Sequence, residues 1–195
     1  MFNTTIGQTR RPHVAILQFC TLALLWVGYQ PTDCAFAQDG EWKKLTDKAG
    51  KFSVLFPGSP KRTERQIPTT LGNIKVVMYI QDLPTQSKAY LVGFNDYPEN
   101  KLYGQKEFDY KVLAGVAGGV SRSRKAKVVR KTQIKIGKYH GLEILLSINN
   151  DQRFCLFRAY LVKNRLYQVF ADYPGKPAKA TADAQKFLNS FQLTK

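Results

Sequence analysis

"RFCLFRAYLVKNRLYQVFADYP", residues 153–174, is the stretch on which the fold turns. Two strand-like runs, "RFCLFRAYLV" and "RLYQVFADYP", flank Lys163-Asn164. Asparagine tolerates the left-handed backbone that a tight hairpin needs, so the spacing predicts two antiparallel strands joined by a short turn.

Working outward, the same alternation recurs. Upstream, "KAKVVRKTQIKIG" and "GLEILLSIN" are two further strands, with Gly137 and Gly141 bracketing their turn. Nearer the N-terminus, "EWKKL" is a short candidate strand, and "KFSVLFPGSP" sets Phe52, Val54 and Phe56 against Ser53 and Leu55 before Pro57-Gly58 stops it. "NIKVVMYIQD" alternates Ile74, Val76, Met78 and Ile80 with Lys75, Val77, Tyr79 and Gln81, and "KAYLVGFNDYP" is another strand that ends in a turn. Between these groups, Lys106 to Val120 carries Phe108, Val112, Val116 and Val120 at intervals of four, which predicts a helix with one apolar stripe. A second helix is expected from about Ala178, with Ala180, Ala184, Phe187, Leu188 and Phe191 on one face. Strands, helix, strands and helix with hairpin-length links indicate an α+β fold: a mainly antiparallel sheet flanked by helices.

The chain has 195 residues, a formal net charge of +16 and 44% apolar residues, a composition that folds and that attracts anions. Residues 1–37 have the make-up of a signal peptide. Arg10 and Arg11 precede the uncharged run "VAILQFCTLALLWVGY", and Ala35-Phe36-Ala37 supplies a small–x–small cleavage pattern. Cleavage after Ala37 leaves residues 38–195 as one domain, exported to a periplasmic, extracellular or lumenal space; the alternative is a single N-terminal membrane anchor. Thr32 and Asp33 do not suit a lipobox at Cys34, and Pro12-His13 does not suit a twin-arginine signal. Past residue 37 only Cys155 remains, so no internal disulfide is expected, and its setting in "FCLF" indicates a buried, inert thiol.

Several of these segments are also similar to a known family. "FSVLFPGSP", "YLVGFNDYP", "GLE" after a glycine turn, "RAYLVKNRLYQV" and "FLNSFQL" resemble small exported bacterial proteins of the PsbP-like superfamily, which includes the Ran-binding Mog-type proteins. The likeness runs from about Trp42 to Leu193 and implies an α/β/α sandwich around an antiparallel sheet. PsbP is an extrinsic photosystem subunit with an extended N-terminal arm. Here Gln38 stands only four residues before Trp42, too close for such an arm. Mog-type proteins act in the nucleus, which an export signal contradicts. The resemblance therefore implies an accessory or binding role and names no partner.

Residues for catalysis are sparse. His140, in "GKYHG", is expected to face solvent from a turn, which leaves a hydrolytic triad without its base. One histidine and one cysteine do not make a zinc site, and Asp96 with Glu99 are expected to cap turns. "AGVAGGV" matches neither phosphate-loop glycine pattern. Glu143 lies in an apolar strand and is expected to form a buried ion pair with Arg158. No catalytic, cofactor or metal residues are assigned.

What remains is "SRSRKAKVVRK", residues 121–131, with six basic residues in eleven. Arg122, Arg124, Lys125, Lys127, Arg130 and Lys131 are the candidate anion- or partner-binding residues. Period two sets Lys125, Lys127, Lys131 and Lys135 on a wet face, against Ala126, Val128, Thr132, Ile134 and Ile136. Arg130 interrupts the apolar row, which calls for a bulge, a strand edge or a partner such as Glu143. The expected function is an exported, non-catalytic accessory or binding module. A peripheral binder of an anionic membrane surface or polyanion is the alternative, and an enzyme with an unrecognised site the third. Nucleic acid is not an expected partner of an exported chain lacking a recognition motif, and no small-molecule substrate is indicated.

Overall fold

The computed structural model describes residues 41–69, 72–100, 102–175 and 182–195. The expected signal peptide, its expected cleavage position and the expected helix start at Ala178–Ala180 lie outside the described residues.

The hairpin of residues 153–174 forms the middle of a seven-stranded antiparallel sheet. In chain order its strands are β3 (Lys61–Thr69), β4 (Gly72–Leu83), β5 (Lys88–Asp96), β6 (Lys127–Ile136), β7 (Tyr139–Ile148), β8 (Arg153–Val162) and β9 (Arg165–Pro174). Their spatial order is β3-β4-β5-β9-β8-β7-β6. Central strands must be apolar on both faces, and β8 and β9 are. Phe154, Leu156 and Tyr160 enter one core with Tyr167, Val169 and Ala171, while Cys155, Phe157 and Leu161 enter the other with Leu166 and Phe170. At the hairpin turn the positive φ, 56°, falls on Lys163 and not on Asn164. Asn164 instead clamps the end of β5: its carbonyl accepts the Tyr97 N–H at 2.8 Å, and its amide donates to the Tyr97 carbonyl at 2.9 Å.

One face of the sheet is covered by α1 (Lys106–Ser123), which packs on β7 and β8. Its buried stripe is Asp109, Leu113, Val116, Ala117 and Val120. The expected stripe is kept at Val116 and Val120, whereas Phe108 and Val112 are half-buried on the flank, because Leu113 and the small residues Ala117 and Gly119 allow the closer approach. The other face is covered by α2 (Ala182–Ser190) together with a small sheet of β1 (Trp42–Asp47), β2 (Phe52–Pro57) and β10 (Gln192–Leu193), in the order β1-β2-β10. Phe52, Val54 and Phe56 point from β2 into this core, as their alternation requires. The fold is α+β and largely antiparallel, with helices on the two faces.

Two strands escaped the pattern reading. β3, "KRTERQIPT", is mostly polar because it forms one open edge, where Pro68 costs no essential ladder bond. β10 is two residues long and exists through its pairing with Ser53 and Phe52.

The β1–β2 turn is tied to the large sheet by Asp47. Its Oδ2 accepts the Tyr79 hydroxyl at 2.6 Å, its Oδ1 accepts the Gly50 N–H at 2.8 Å, and Arg62 Nε donates to the Tyr79 oxygen at 3.1 Å. Burial by itself raises the carboxyl, but the bonds from Tyr79 and Gly50 outweigh it and hold Asp47 below its ordinary value. A lowered folded value contributes stability above the unfolded value and loses it as pH falls through the folded one. The urea midpoint should accordingly fall as pH drops below about 4, and Asp47→Asn, read across the same pH series, should show a shallower acid limb. Equal slopes in both proteins would remove Asp47 from the acid response.

Candidate functional site

The basic run straddles the end of α1 and the start of β6, and local backbone chemistry sorts its side chains. Helix α1 ends in a double-bonded left-handed cap: Ala126 N–H donates to the Ser121 carbonyl at 2.9 Å, and Lys125 N–H to the Arg122 carbonyl at 3.1 Å. Lys125 occupies the left-handed position, φ 48°, where glycine is the usual residue. The Ser121 hydroxyl fastens the reversal by donating to the Ala126 carbonyl at 2.6 Å.

That cap turns Arg124 inward. Its Nη1 lies 2.5 Å from Asp172 Oδ2 on β9, and its guanidinium carbon stands 5.3 Å from the Phe170 ring centre. With side-chain exposures of 20% and 16%, the Arg124–Asp172 pair belongs to the interior more than to the surface. The charge of Arg124 is neutralised there, so the residue expected to join the anion-binding group is withdrawn from it. Arg122, Lys125, Lys127 and Lys131 are exposed.

β6 forms the second open edge of the sheet, and nearly all of it is exposed. Its pairing with β7 shifts between Val128 and Arg130, where Val129 makes a bulge. The single apolar row expected from Ala126 to Ile136 is split at this point. Ala126 packs toward the α1 face, whereas Ile134 and Ile136 pack toward the α2 face. Val128 and Val129 are left 44% and 45% exposed among the lysines.

The bulge also delivers Arg130 to Glu143. Arg130 Nη2 is 3.1 Å from Glu143 Oε1, and Arg158 Nε is 2.8 Å from Glu143 Oε2. Glu143 and Arg158 sit directly opposite in the β7–β8 register, and Arg158 Nη1 continues to Asn189 Oδ1 on α2 at 2.9 Å. Each carboxylate oxygen of Glu143 thus faces an arginine, an arrangement that ties an edge strand to a helix and holds the carboxylate paired on both sides.

Two other residues differ from expectation. His140 is not solvent-facing: its Nδ1 is 2.7 Å from Asp109 Oδ2, with exposures of 13% and 2%. Helix α1 brings Asp109 over the start of β7, and the other oxygen, Oδ1, accepts the Gly104 N–H at 3.0 Å. Asp96 caps no turn; it pairs with Arg165, Oδ1 to Nε at 2.5 Å and Oδ2 to Nη2 at 2.6 Å. Cys155 is fully buried, and burial pushes its thiol well above the ordinary range, the reverse of what a nucleophile needs. Among the described residues no cluster of three or more His, Cys, Asp or Glu is arranged to hold a metal. No helix among them is long and apolar enough to cross a membrane.

The overall arrangement is shared with a solved structure. The solution structure of cyanobacterial PsbP (CyanoP) from Synechocystis sp. PCC 6803 is similar at a TM-score of 0.52 and 12% identity, over 83% of this chain and 98% of that one. A protein from Bacteroides thetaiotaomicron is similar at a TM-score of 0.40 and 11% identity, over 81% of this chain and 50% of that one. No protein-family model and no curated protein matches the sequence. At this identity the likeness to PsbP is one of fold.

Proposed function

We propose that this chain is an exported, non-catalytic accessory module, with residues 38–195 as its working unit, and that it docks on an acidic partner through the β6 edge. The observation that carries this reading is the exposed strip of Arg122, Lys125, Lys127 and Lys131 around the uncovered Val128 and Val129. Lysines on an open edge discourage pairing with another copy, since the opposite edge, β3, is also rich in Lys and Arg. They favour an acidic surface instead, while two exposed valines give that contact an apolar centre. The PsbP-like fold supports an accessory role by analogy alone. The engagement of both Glu143 oxygens and the burial of Cys155 support a non-catalytic one.

The same strip fits an anionic membrane surface, and the exposed valines beside lysines are what favour that second reading. One experiment separates the two. The full chain and a Lys125→Glu/Lys127→Glu/Lys131→Glu variant are incubated with envelope membranes and with protein-free anionic vesicles at rising salt. The wild type should bind envelope membranes at low salt and release as salt rises, and the variant should bind at least about a hundredfold more weakly. Retention by protein-free vesicles assigns the contact to lipid. Equal binding by wild type and variant would overturn the β6 edge as the docking surface.

A further inference from the structure

We infer that the depression beside His140 is a phosphate-binding site. It lies toward the C-terminal end of β6, away from the strip just described, and does not depend on that strip binding anything. Its volume is about 380 Å³, and it is lined by Lys106, Tyr110, Gln133, Ile134, Lys135 and His140.

The imidazole is held before any ligand arrives. Asp109 is buried, with one oxygen committed to the Gly104 N–H and the other to His140 Nδ1. Nδ1–H therefore donates to the carboxylate, which fixes the ring plane and tautomer. The Tyr110 ring packs on the other side, 5.2 Å between centres and tilted by 43°. Nε2 is the remaining polar atom, and it has no hydrogen-bond partner among the described residues. As imidazolium it donates to a phosphate oxygen, and as neutral imidazole it accepts from a phosphate hydroxyl.

The rest of the lining is cationic or able to donate. Lys135 sits directly across from His140 in the β6–β7 register, and Gln133 is two residues before it on the same face. Lys106 opens α1 at its N-terminus, where the preceding Gln105 makes no side-chain cap. Neither Lys106 nor Lys135 has an ion-pair partner among the described residues. Among the described residues Asp109 is the only acid paired with His140, and each of its oxygens already accepts a bond; the other acid of the first turn, Glu107, is exposed and outside the lining. Two ammonium groups, an amide, a phenol and a ring nitrogen on one concave surface exceed what the two oxygens of a carboxylate can use. They suit the several oxygens and double charge of a phosphate group. The inference is binding alone, and no chemical step on the ligand is assigned to these side chains.

The test follows the His140 ring protons by NMR while inorganic phosphate is added to the full chain, with chloride at matched ionic strength as control and His140→Gln to assign the signal. The expected result is a saturable phosphate-specific shift. It should weaken at least about tenfold in Lys106→Ala/Lys135→Ala, a variant of two exposed residues whose melting temperature should match the wild type. A phosphate monoester in solution and the same headgroup in vesicles then distinguish a soluble ligand from a lipid. Either one competing with inorganic phosphate supports the site. A shift no larger than chloride gives, equal affinity in the lysine variant, or a response to vesicles with none to free phosphate would overturn it.

Discussion

Phe52→Ala should cost about 3–5 kcal/mol, the range for removing a buried phenyl ring, and lower the melting temperature by about 10 °C or more. Phe52 is fully buried at the start of β2. It stacks on Phe191 with centres 5.6 Å apart, and meets the edges or faces of Tyr79, Phe94 and Tyr167 at 6.0, 6.0 and 6.2 Å. Those partners belong to the segment entering β10 and to β4, β5 and β9, so one ring joins the small sheet, the large sheet and the C-terminal segment. Gly50 shows how little slack exists, since a Cβ there would stand 2.7 Å from carbon atoms of both Phe52 and Phe94. Stiff aromatic neighbours on two sheets collapse poorly into the space a phenyl leaves, which puts the expected loss at the upper part of the range. Urea unfolding measures it, and near-UV circular dichroism should lose intensity as the aromatic cluster loosens. A loss under about 1 kcal/mol with an unchanged near-UV spectrum would show that the three parts are joined by something else.

The second large effect separates two arginines that stand two residues apart. Arg124→Ala should destabilise by about 3 kcal/mol or more, because it leaves Asp172 charged and unpaired beneath α1, next to the fully buried Cys155. Arg122→Ala should stay within about 0.5 kcal/mol, as an exposed side chain without an ion pair among the described residues does. Arg124→Lys should recover only part of the loss. A lysine supplies charge but neither the planar fork toward Asp172 nor the face that lies over the Phe170 ring. Chemical denaturation of the three variants checks this, and equal stability of Arg122→Ala and Arg124→Ala would mean that Arg124 is a surface residue after all. The result also bears on docking, because loss of envelope binding in an Arg124 variant would reflect instability and not a removed contact.

These cases mark where sequence reasoning stops. Strands β2, β4, β7, β8 and β9 were legible because alternation within ten residues reflects which side of a strand is dry. β3 was not, since an edge strand with wet surroundings carries no apolar signal, and β10 has no identity apart from β2. The phase of α1 is half legible: Val116 and Val120 mark its buried side, but Phe108 and Val112 outweigh small residues in a pattern, whereas close packing on a sheet prefers Ala117 and Gly119. A signal for the β6 bulge was present: Val128 and Val129 in succession, then Arg130 out of phase. For Glu143 and Arg158 the sign of charge and the strand positions sufficed to suggest the pair.

The amino-acid sequence by itself determined that the chain builds a largely antiparallel sheet with two helices and carries a strong excess of positive charge, because these follow from local periodicity and composition. Only the tertiary structure decided which charges remain available. Arg124 meets Asp172 across 48 positions and His140 meets Asp109 across 31. No local pattern records such pairs, since they depend on the rotation of α1 over β7 and β8. That rotation is set by packing, and it turns one arginine of the basic run inward, leaves its neighbours in water, and draws a strand histidine against a buried carboxylate.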